Sequence, residues 1–329
     1  MKSNSIRNVG ILTSGGDAPG MNAVVRAAVR RGSAKGLKFT GILRGYAGLL
    51  NGEMRPLDTQ SVSFILERGG TFLESERFPE MEQEAVQVKA VEICRENGLD
   101  ALIVAGGDGS FRGALGLAKH GFPVIGIPCT IDGDIACSEY TIGFDTAVNT
   151  AMHAIDNIRD TASSHERCSM IEVMGRHAGL IALWSGIAGG AEVALIPETY
   201  DGNEDRIVER IATARKGGKR NNIIINAEGT GDTASLAKRV GEKGGFDIRA
   251  TVLSYIQRGG MPTCKDRVFA SVMGAKAADL LCEGIVNRVI AYRDGCFVDL
   301  DITQALDTRG AMTESAAYMY EILEDLSTL

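Results

Sequence analysis

Residues 101–134 read ALIVAGGDGSFRGALGLAKHGFPVIGIPCTIDGD. The apolar run Ala101–Ala105, stopped by Gly106 and Gly107, predicts a buried strand, and Val124–Ile127, stopped by Pro128, predicts a second. Two such strands joined through a helix form a parallel βαβ unit. Ligands of open parallel sheets sit beyond the carboxyl ends of the strands. Here both ends carry carboxylates, so Asp108 is expected close to Asp132 and Asp134.

Glycines at 106, 107, 109 and 113 let backbone approach a ligand with no side chain between them. A glycine turn that opens a helix offers free N–H groups and a partial positive charge, which suits phosphate. Three aspartates beside a phosphate repel it unless a cation intervenes, and hard oxygen ligands sharing a site with phosphate imply Mg²⁺. The plainer alternative is a helix-capping Asp108 and a solvated loop at Asp132 and Asp134.

At 329 residues the chain is long enough for two lobes. Its 41 glycines, 7 prolines and 44% apolar residues fit an α/β protein with many tight strand-to-helix turns. A net charge of −7 argues against a general nucleic-acid surface. The seven cysteines form no CxxC pair, which indicates neither a zinc site nor a disulfide framework and suits a reducing cytoplasm. MKSNSIRN lacks the apolar segment of a signal peptide, and the most apolar stretch, Gly179–Ala191, is too short to span a bilayer.

The strand, glycine turn and helix recur at Val9–Leu12, Thr13–Gly20 (TSGGDAPG) and Asn22–Arg31, which places a second phosphate-approaching loop beside the first, with Gly16 nearest the terminal phosphate. Phe39–Leu43 reads as a strand, Ser61–Glu67 as a short helix and Glu84–Asn97 as an amphipathic helix. RGGTFLESERFP presents Arg68 and Arg77 from a loop, and a planar guanidinium is the usual partner of phosphate oxygens. A long helix is expected over Thr146–Asp160, strands over Cys168–Met174, Val193–Pro197 and Ile223–Asn226, and helices over Ile181–Gly189, Asp266–Cys282 and Glu314–Leu326. RKGGKR at 215–220 reads as a basic loop, and Gly229–Gly245, rich in glycine and charge, as a mobile one. His177 has no nucleophile beside it and reads as a hydrogen-bonded neighbour, whereas Arg176 at a strand end is an active-site cation.

Two glycine loops, three carboxylates and several loop arginines make a site for moving a phosphoryl group, a reaction that depends on positioning, Mg²⁺ and charge neutralisation. Asp132 can accept the proton of an attacking hydroxyl while Asp108, directly or through water, holds the metal. Arg77 and Arg176 can follow the charge on the moving group. Arg167, Arg249 and Arg258 add more positive charge than one triphosphate needs, so the acceptor is expected to be anionic, and a sugar phosphate fits.

TSGGDAPGMNA, GGTFLESERFP, GGDGS, TIDGDI, YTIGFDTA, RDTASSHER, EVMGR, IAGGAE and RATVLSYIQRGG resemble, in order and over nearly the whole chain, the bacterial ATP-dependent 6-phosphofructokinases. The resemblance implies a two-lobed α/β fold, each lobe a largely parallel sheet flanked by helices. It places a nucleotide-binding lobe at 1–143 plus 257–307 and a sugar-phosphate lobe at 144–256 plus 308–329. The implied reaction is ATP plus fructose 6-phosphate giving ADP and fructose 1,6-bisphosphate. Implied ATP contacts are Gly16, Arg77, Phe78, Gly107, Asp108, Gly109, Ser110 and Gly113, with room for adenosine at Gly113. The implied Mg²⁺ residue is Asp108, with Asp134 the further carboxylate expected at the metal, and the implied catalytic base is Asp132, with Thr130 a sugar contact and Arg176 and Arg77 the catalytic cations expected beside it. Sugar-phosphate contacts are implied at Thr130, Ile131, Asp132, Arg167, Met174, Gly175, Arg176, Glu228, Arg249, Tyr255 and Arg258. In that family Arg167 and Arg249 reach in from a neighbouring subunit of a homotetramer. A second, inter-subunit effector site matches Arg26, Arg30, Arg159, Glu192, Lys219 and Arg220.

The chain departs from the pattern at several positions. Pyrophosphate-dependent members carry Asp where this chain has Gly109 and Lys where it has Cys129; Gly109 favours ATP, while Cys129 matches neither type. Gly133 replaces the common Asn of TIDND, and Tyr255 stands where a His helps bind the sugar phosphate. Thr59, Gln60 and Phe64 replace an Arg, a Tyr and an Asp of the effector site, so effector control is expected to be reduced or altered. Competing readings are a pyrophosphate-dependent or mixed-donor enzyme, a kinase of another acceptor, and a catalytically silent regulatory subunit. A dinucleotide oxidoreductase is disfavoured because no GxGxxG with an acidic partner occurs.

Overall fold

The computed structural model describes residues 6–308 and 313–326. In the first part of the chain come β1 (Asn8–Thr13), α1 (Met21–Ala34), β2 (Lys38–Ile42), α2 (Gly45–Asn51), β3 (Met54–Leu57), α3 (Glu84–Glu96), β4 (Ala101–Gly106), α4 (Asp108–Lys119), β5 (Val124–Thr130) and the short β6 (Ile142–Gly143). Next come α5 (Phe144–His165), β7 (Cys168–Val173), α6 (Leu180–Ala188), β8 (Val193–Leu195), α7 (Glu204–Lys216), β9 (Asn222–Ala227), α8 (Thr233–Gly244) and β10 (Ile248–Val252). The chain closes with α9 (Cys264–Cys282), β11 (Arg288–Arg293), β12 (Cys296–Asp301), α10 (Ile302–Asp307) and α11 (Glu314–Leu326).

Two compact units result. The first takes in the described residues through Ile131, then Ile135–Asp145 and the chain from Arg258 through α10; the second takes in Asp132–Asp134, Thr146–Gln257 and α11. Residues 309–312 and 327–329, which belong to the segment 308–329 expected in the sugar-phosphate lobe, lie outside the described residues.

The first unit holds an eight-stranded sheet in the order β12-β11-β5-β4-β1-β2-β3, with β6 beside β5. Its centre is parallel, and among the described residues only the β2–β3 and β11–β12 pairs are antiparallel. Every residue of β4 is buried, as expected of a strand covered on both faces. A core of Leu12, Leu102, Val104, Phe111, Leu117 and Val124 joins the sheet to α4. On α9, Gly274 lets the backbone come against the main chain of Val24 on α1, where a β-carbon would collide.

The second unit holds a wholly parallel sheet, β10-β7-β9-β8. Its core joins Met170, Leu195, Ile207, Ile211, Ile224, Leu236 and Val240.

Two expectations are corrected here. Residues 61–67 form turns rather than a helix: Asp58 Oδ1 accepts from Gln60 N–H and Ser61 N–H, and Phe64 takes a left-handed φ of 58°, which no right-handed helix accommodates. The supposed loop Gly229–Gly245 contains α8, capped by Asp232 accepting from Ala234 and Ser235 N–H and anchored by buried Leu236, Ala237 and Val240. Charge there occupies the solvent face of an amphipathic helix, and the glycines cluster at its ends and on its buried side.

Candidate active site

In the first unit the parallel strands finish together. Register pairs Thr13 with Ala105, Gly106 with Pro128 and Thr130 with Gly143, so the turns after β1, β4 and β5 leave one sheet edge. The first glycine loop is tied to its neighbours by Ser14 N–H donating to Ala105 O at 2.9 Å and Gly15 N–H donating to Glu76 O at 3.3 Å. Thr13 Oγ1 donates to Glu74 O at 2.6 Å and Ser75 Oγ to Gly15 O at 2.8 Å. Asn22 Nδ2 donates to Arg68 O and Gly70 O while its Oδ1 accepts from Phe72 N–H. These bonds bring the RGGTFLESERFP turn against the TSGGDAPG loop and set Arg77 and Phe78 just beyond it, Arg77 exposed to solvent.

The second glycine loop opens α4, with Gly107 as its N-cap residue and Asp108 in its first turn. Gly106 has no room for a β-carbon, which would meet Ser110 Oγ and Ser14 O. Ser110 is buried, and its carbonyl accepts from Tyr46 Oη at 2.7 Å. Gly107 and Gly109 face open space. Gly113 is buried, and a β-carbon there would run into Tyr46 and Met81, so core packing by itself demands a glycine at this position. Burial first and the nearby Asp108 charge second push the Cys137 thiol up to about 11.

Among the described residues no group of three or more His, Cys, Asp or Glu side chains is placed to hold a metal by itself. Mg²⁺ takes one or two carboxylates and completes its shell with phosphate oxygens and water. Asp108, a carboxylate at a helix N-terminus beside a glycine turn, fits that donor set.

From Thr130 the chain turns through buried Ile131 and Asp132 to Gly133 and Asp134. Gly133 has φ 67°. Glycine and asparagine are the residues that tolerate this left-handed region, so the Gly-for-Asn departure preserves the turn. Cys129 is buried, and burial, then the charge of Asp266, holds its thiol well above the ordinary range. Asp266 was not singled out from sequence; fully buried, it accepts from Tyr140 Oη at 2.6 Å and Gly143 N–H at 2.7 Å and so fixes β6 against the end of β5. Arg258 donates from Nη1 to Asp17 O at 3.2 Å, and its guanidinium occupies the space over Gly16.

In the second unit Met174, Gly175 and Arg176 follow β7. Gly175 has φ 146° and Arg176, a non-glycine, φ 58°; the latter conformation costs about 1–2 kcal/mol. The turn is held by Glu228, just past β9, whose Oε1 accepts from Gly175 N–H at 3.2 Å and Arg176 N–H at 2.7 Å. Tyr255 lies exposed on the 3₁₀ turn Ser254–Gln257 beyond β10.

Arg167 and Arg249 are found elsewhere. Arg167 precedes β7, and Arg249 pairs in register with Ser169, near the amino end of that strand. Asp247 bridges them, at 3.1 Å to Arg167 Nε and 3.2 Å to Arg249 Nε. At ~3.3 Å per residue the length of β7 separates this pair from Arg176 by roughly 20 Å.

The residues matched to an effector site fall into two sets. On α1, Arg26 and Arg30 are one helical turn apart, and Arg30 donates to Thr59 O and Ser63 Oγ. In the second unit the buried Glu192 pairs with Lys219 Nζ at 2.8 Å and accepts from Ile223 N–H at 2.6 Å. Arg159 donates to Gly189 O, and Arg220 pairs with Glu166 at 3.3 Å.

Residues 8–281 match the family model described as Phosphofructokinase. An ATP-dependent 6-phosphofructokinase of Clostridium botulinum is 48% identical over 322 residues, spanning 98% of this chain and 100% of that protein. One of Brevibacillus brevis is 49% identical over the same span. Among solved structures, the Pichia pastoris phosphofructokinase in the T-state superposes with TM-score 0.90 at 32% identity, covering 98% of this chain and 39% of that one. The Saccharomyces cerevisiae phosphofructokinase does so at 0.86 and 31%, and this chain spans about half of it, 48%.

Proposed function

The chain belongs to the phosphofructokinase family, and we propose that it transfers the γ-phosphoryl group of ATP to the 1-hydroxyl of fructose 6-phosphate, giving fructose 1,6-bisphosphate and ADP. Family relatives named as ATP-dependent 6-phosphofructokinases, matched end to end, carry this reading. It makes the protein a glycolytic kinase.

In this reading the two tied glycine loops and the RGGTFLESERFP turn take the nucleotide phosphates, through Gly16, Arg77, Phe78, Gly107, Asp108, Gly109, Ser110 and the neighbourhood of Gly113. Asp108 and Asp134 would hold Mg²⁺, which when bound neutralises phosphate charge and orients the transferred group. Asp132 takes the proton of the sugar hydroxyl as general base. Thr130 and Ile131 position the acceptor beside it. Arg77 and Arg176 balance charge that builds on the equatorial oxygens.

Met174–Arg176, Glu228, Tyr255 and Arg258 serve the sugar phosphate. Arg167 and Arg249, about 20 Å from Arg176 along their own sheet, serve the sugar phosphate of a neighbouring copy in a homotetramer. The nucleotide lobe is assigned to 1–143 plus 257–307 and the sugar lobe to 144–256 plus 308–329. No described helix is long and apolar enough to cross a membrane, and the proposed compartment is the cytoplasm.

The test supplies purified protein with Mg²⁺ and fructose 6-phosphate, and with ATP or pyrophosphate in parallel. Turnover with ATP and little with pyrophosphate is expected. Equal or greater turnover with pyrophosphate would transfer the assignment to a mixed-donor or pyrophosphate enzyme, and none with either donor to a silent subunit.

A further inference from the structure

Resting on the reading above, in which Met174–Arg176 and Tyr255 serve the sugar phosphate, we infer that Gln257 is a positioning residue for sugar binding, joining the turn that carries Tyr255 to the strained loop that carries Arg176. Gln257 is fully buried, although amide side chains are mostly exposed in proteins. Its Oε1 accepts from Met174 N–H at 2.9 Å. That donor identity fixes the orientation of the amide, because a backbone N–H requires the oxygen. Nε2 then points into the interior with no hydrogen-bond partner among the described residues. Burying an amide nitrogen this way is unfavourable, and the return visible among the described residues is the bond to Met174.

Geometry explains what that bond does. β7 and β10 are parallel neighbours, and Leu253 N–H still donates to Glu172 O at 3.1 Å where β10 gives way to the turn. Ser254 enters this turn with φ 49°. The turn exposes Tyr255 and Ile256 and sends Gln257 inward. On the β7 side, Gly175 and Arg176 both have positive φ, and a β-carbon at Gly175 would run into Ala178 O.

Such a loop keeps its shape only where its surroundings determine it. Two acceptors do so: Glu228 takes the N–H groups of Gly175 and Arg176, and Gln257 takes that of Met174. Three successive N–H groups are thus held by two side chains from different strands' ends. Glu228 reaches in from β9 and Gln257 from the turn after β10. Removing Gln257 leaves Arg176 and Tyr255 free to move independently, and misplacement on the 1 Å scale costs up to ~100-fold in rate.

The experiment compares Gln257→Leu, Gln257→Glu and Arg176→Ala with wild type, measuring kcat, KM for each substrate and thermal midpoint. Gln257→Leu removes the acceptor together with the buried nitrogen at similar volume. It is expected to raise KM for fructose 6-phosphate by about 10-fold and lower kcat, with KM for ATP unchanged within about twofold. Gln257→Glu keeps an acceptor for Met174 and is expected to recover most of the sugar KM. Wild-type sugar kinetics in Gln257→Leu, equal losses for ATP and sugar, or no recovery in Gln257→Glu would each overturn the assignment. If Gln257→Leu fails to fold, Gln257→Met takes its place, with the same expected split. Arg176→Ala separates the two levels of inference. If it too has wild-type kinetics, the sugar reading of the loop fails, whereas a defective Arg176→Ala beside a normal Gln257→Leu removes the role of Gln257 alone.

Discussion

The guanidinium of Arg258 lies over Gly16, in the space that any β-carbon at that position would enter, and is anchored there on the carbonyl of Asp17. A residue expected to meet the terminal phosphate of the nucleotide is therefore in contact with one expected to meet the sugar phosphate, 242 positions later in the chain. Gly16→Ala should push the guanidinium off its carbonyl. Because the far end of an arginine can shift, folding should survive while both substrates lose affinity, with about 10-fold increases in KM for ATP and fructose 6-phosphate. An increase confined to ATP would show that Arg258 does not depend on Gly16.

Asp132, buried immediately after β5, is the proposed general base. Asp132→Ser is expected to lower kcat by ~100-fold or more, the scale of general-base loss, with little change in KM for ATP. Asp108→Asn should instead raise the Mg²⁺ concentration needed for half-maximal rate. Near-wild-type turnover in Asp132→Ser would refute its role, and an unchanged Mg²⁺ requirement in Asp108→Asn would refute that of Asp108.

The strands that position this edge were readable because each is a continuous apolar run stopped by glycine or proline, as at Ala101–Gly106 and Val124–Thr130. The strands at the sheet margins were not. β3 contains Arg55 and Pro56 with only Leu57 buried, and β12 is partly exposed along most of its length, so neither carries an apolar run. α2 is a seven-residue segment entered through left-handed Arg44, too short for helical periodicity. Site residue types were legible from loop composition, but their grouping was not. Whether Arg249 stands beside Arg167 or Arg176 depends on the register of β10 on β7, and Asp247, which joins Arg167 to Arg249, gave no sign in the sequence. Asn22, Tyr46, Gln257 and Asp266 were missed for the same reason: each acts through bonds to chain that is remote in sequence.

Donor preference can be tested at Gly109, whose α-carbon faces open space. Gly109→Asp should fold normally, so its effect reports charge rather than crowding. A carboxylate beside the nucleotide phosphates is expected to lower kcat/KM for ATP by about 10-fold or more, with the thermal midpoint unchanged. The loss should lessen at low ATP charge, for example when Mg²⁺ is raised to saturation. Wild-type ATP kinetics in Gly109→Asp would show that this position does not face the donor.

Asp279 on α9 is held by two cations at the end of α1, Arg31 Nε in its last turn at 2.8 Å and Lys35 Nζ just past it at 2.6 Å. The hydrogen bond from Arg31, ahead of the opposing effect of burial, holds its carboxyl below the usual carboxylate range. A depressed folded-state pKa contributes stability above the unfolded carboxylate pKa and loses it as pH falls through the folded value. Asp279→Asn should therefore lower the thermal midpoint by only ~2 °C at neutral pH, since the pair is solvent-screened. That difference should shrink below about pH 4 and vanish once the wild-type carboxyl is protonated. A difference that persists unchanged down to about pH 2, well below the ordinary carboxylate range, would assign the loss to packing instead of charge.

Effector control gives the last test. Four of the cations matched to the effector site already have acceptors within the chain: Lys219 on buried Glu192, Arg159 on Gly189 O, Arg30 on Thr59 O and Ser63 Oγ, and Arg220 on Glu166. An incoming anion must compete with these bonds, and the Lys219–Glu192 pair is costly to break because it would leave a buried carboxylate unpaired. With Thr59 and Phe64 where the family carries an arginine and an aspartate, the site also lacks two of its expected charges. Phe64, moreover, is 86% exposed and in the left-handed region, so its ring offers an anion nothing. The rate is expected to rise nearly hyperbolically with fructose 6-phosphate, and ADP or phosphoenolpyruvate should shift the half-saturating sugar concentration by less than about twofold. A strongly sigmoidal response relieved by ADP would mean that the internal bonds give way to the effector.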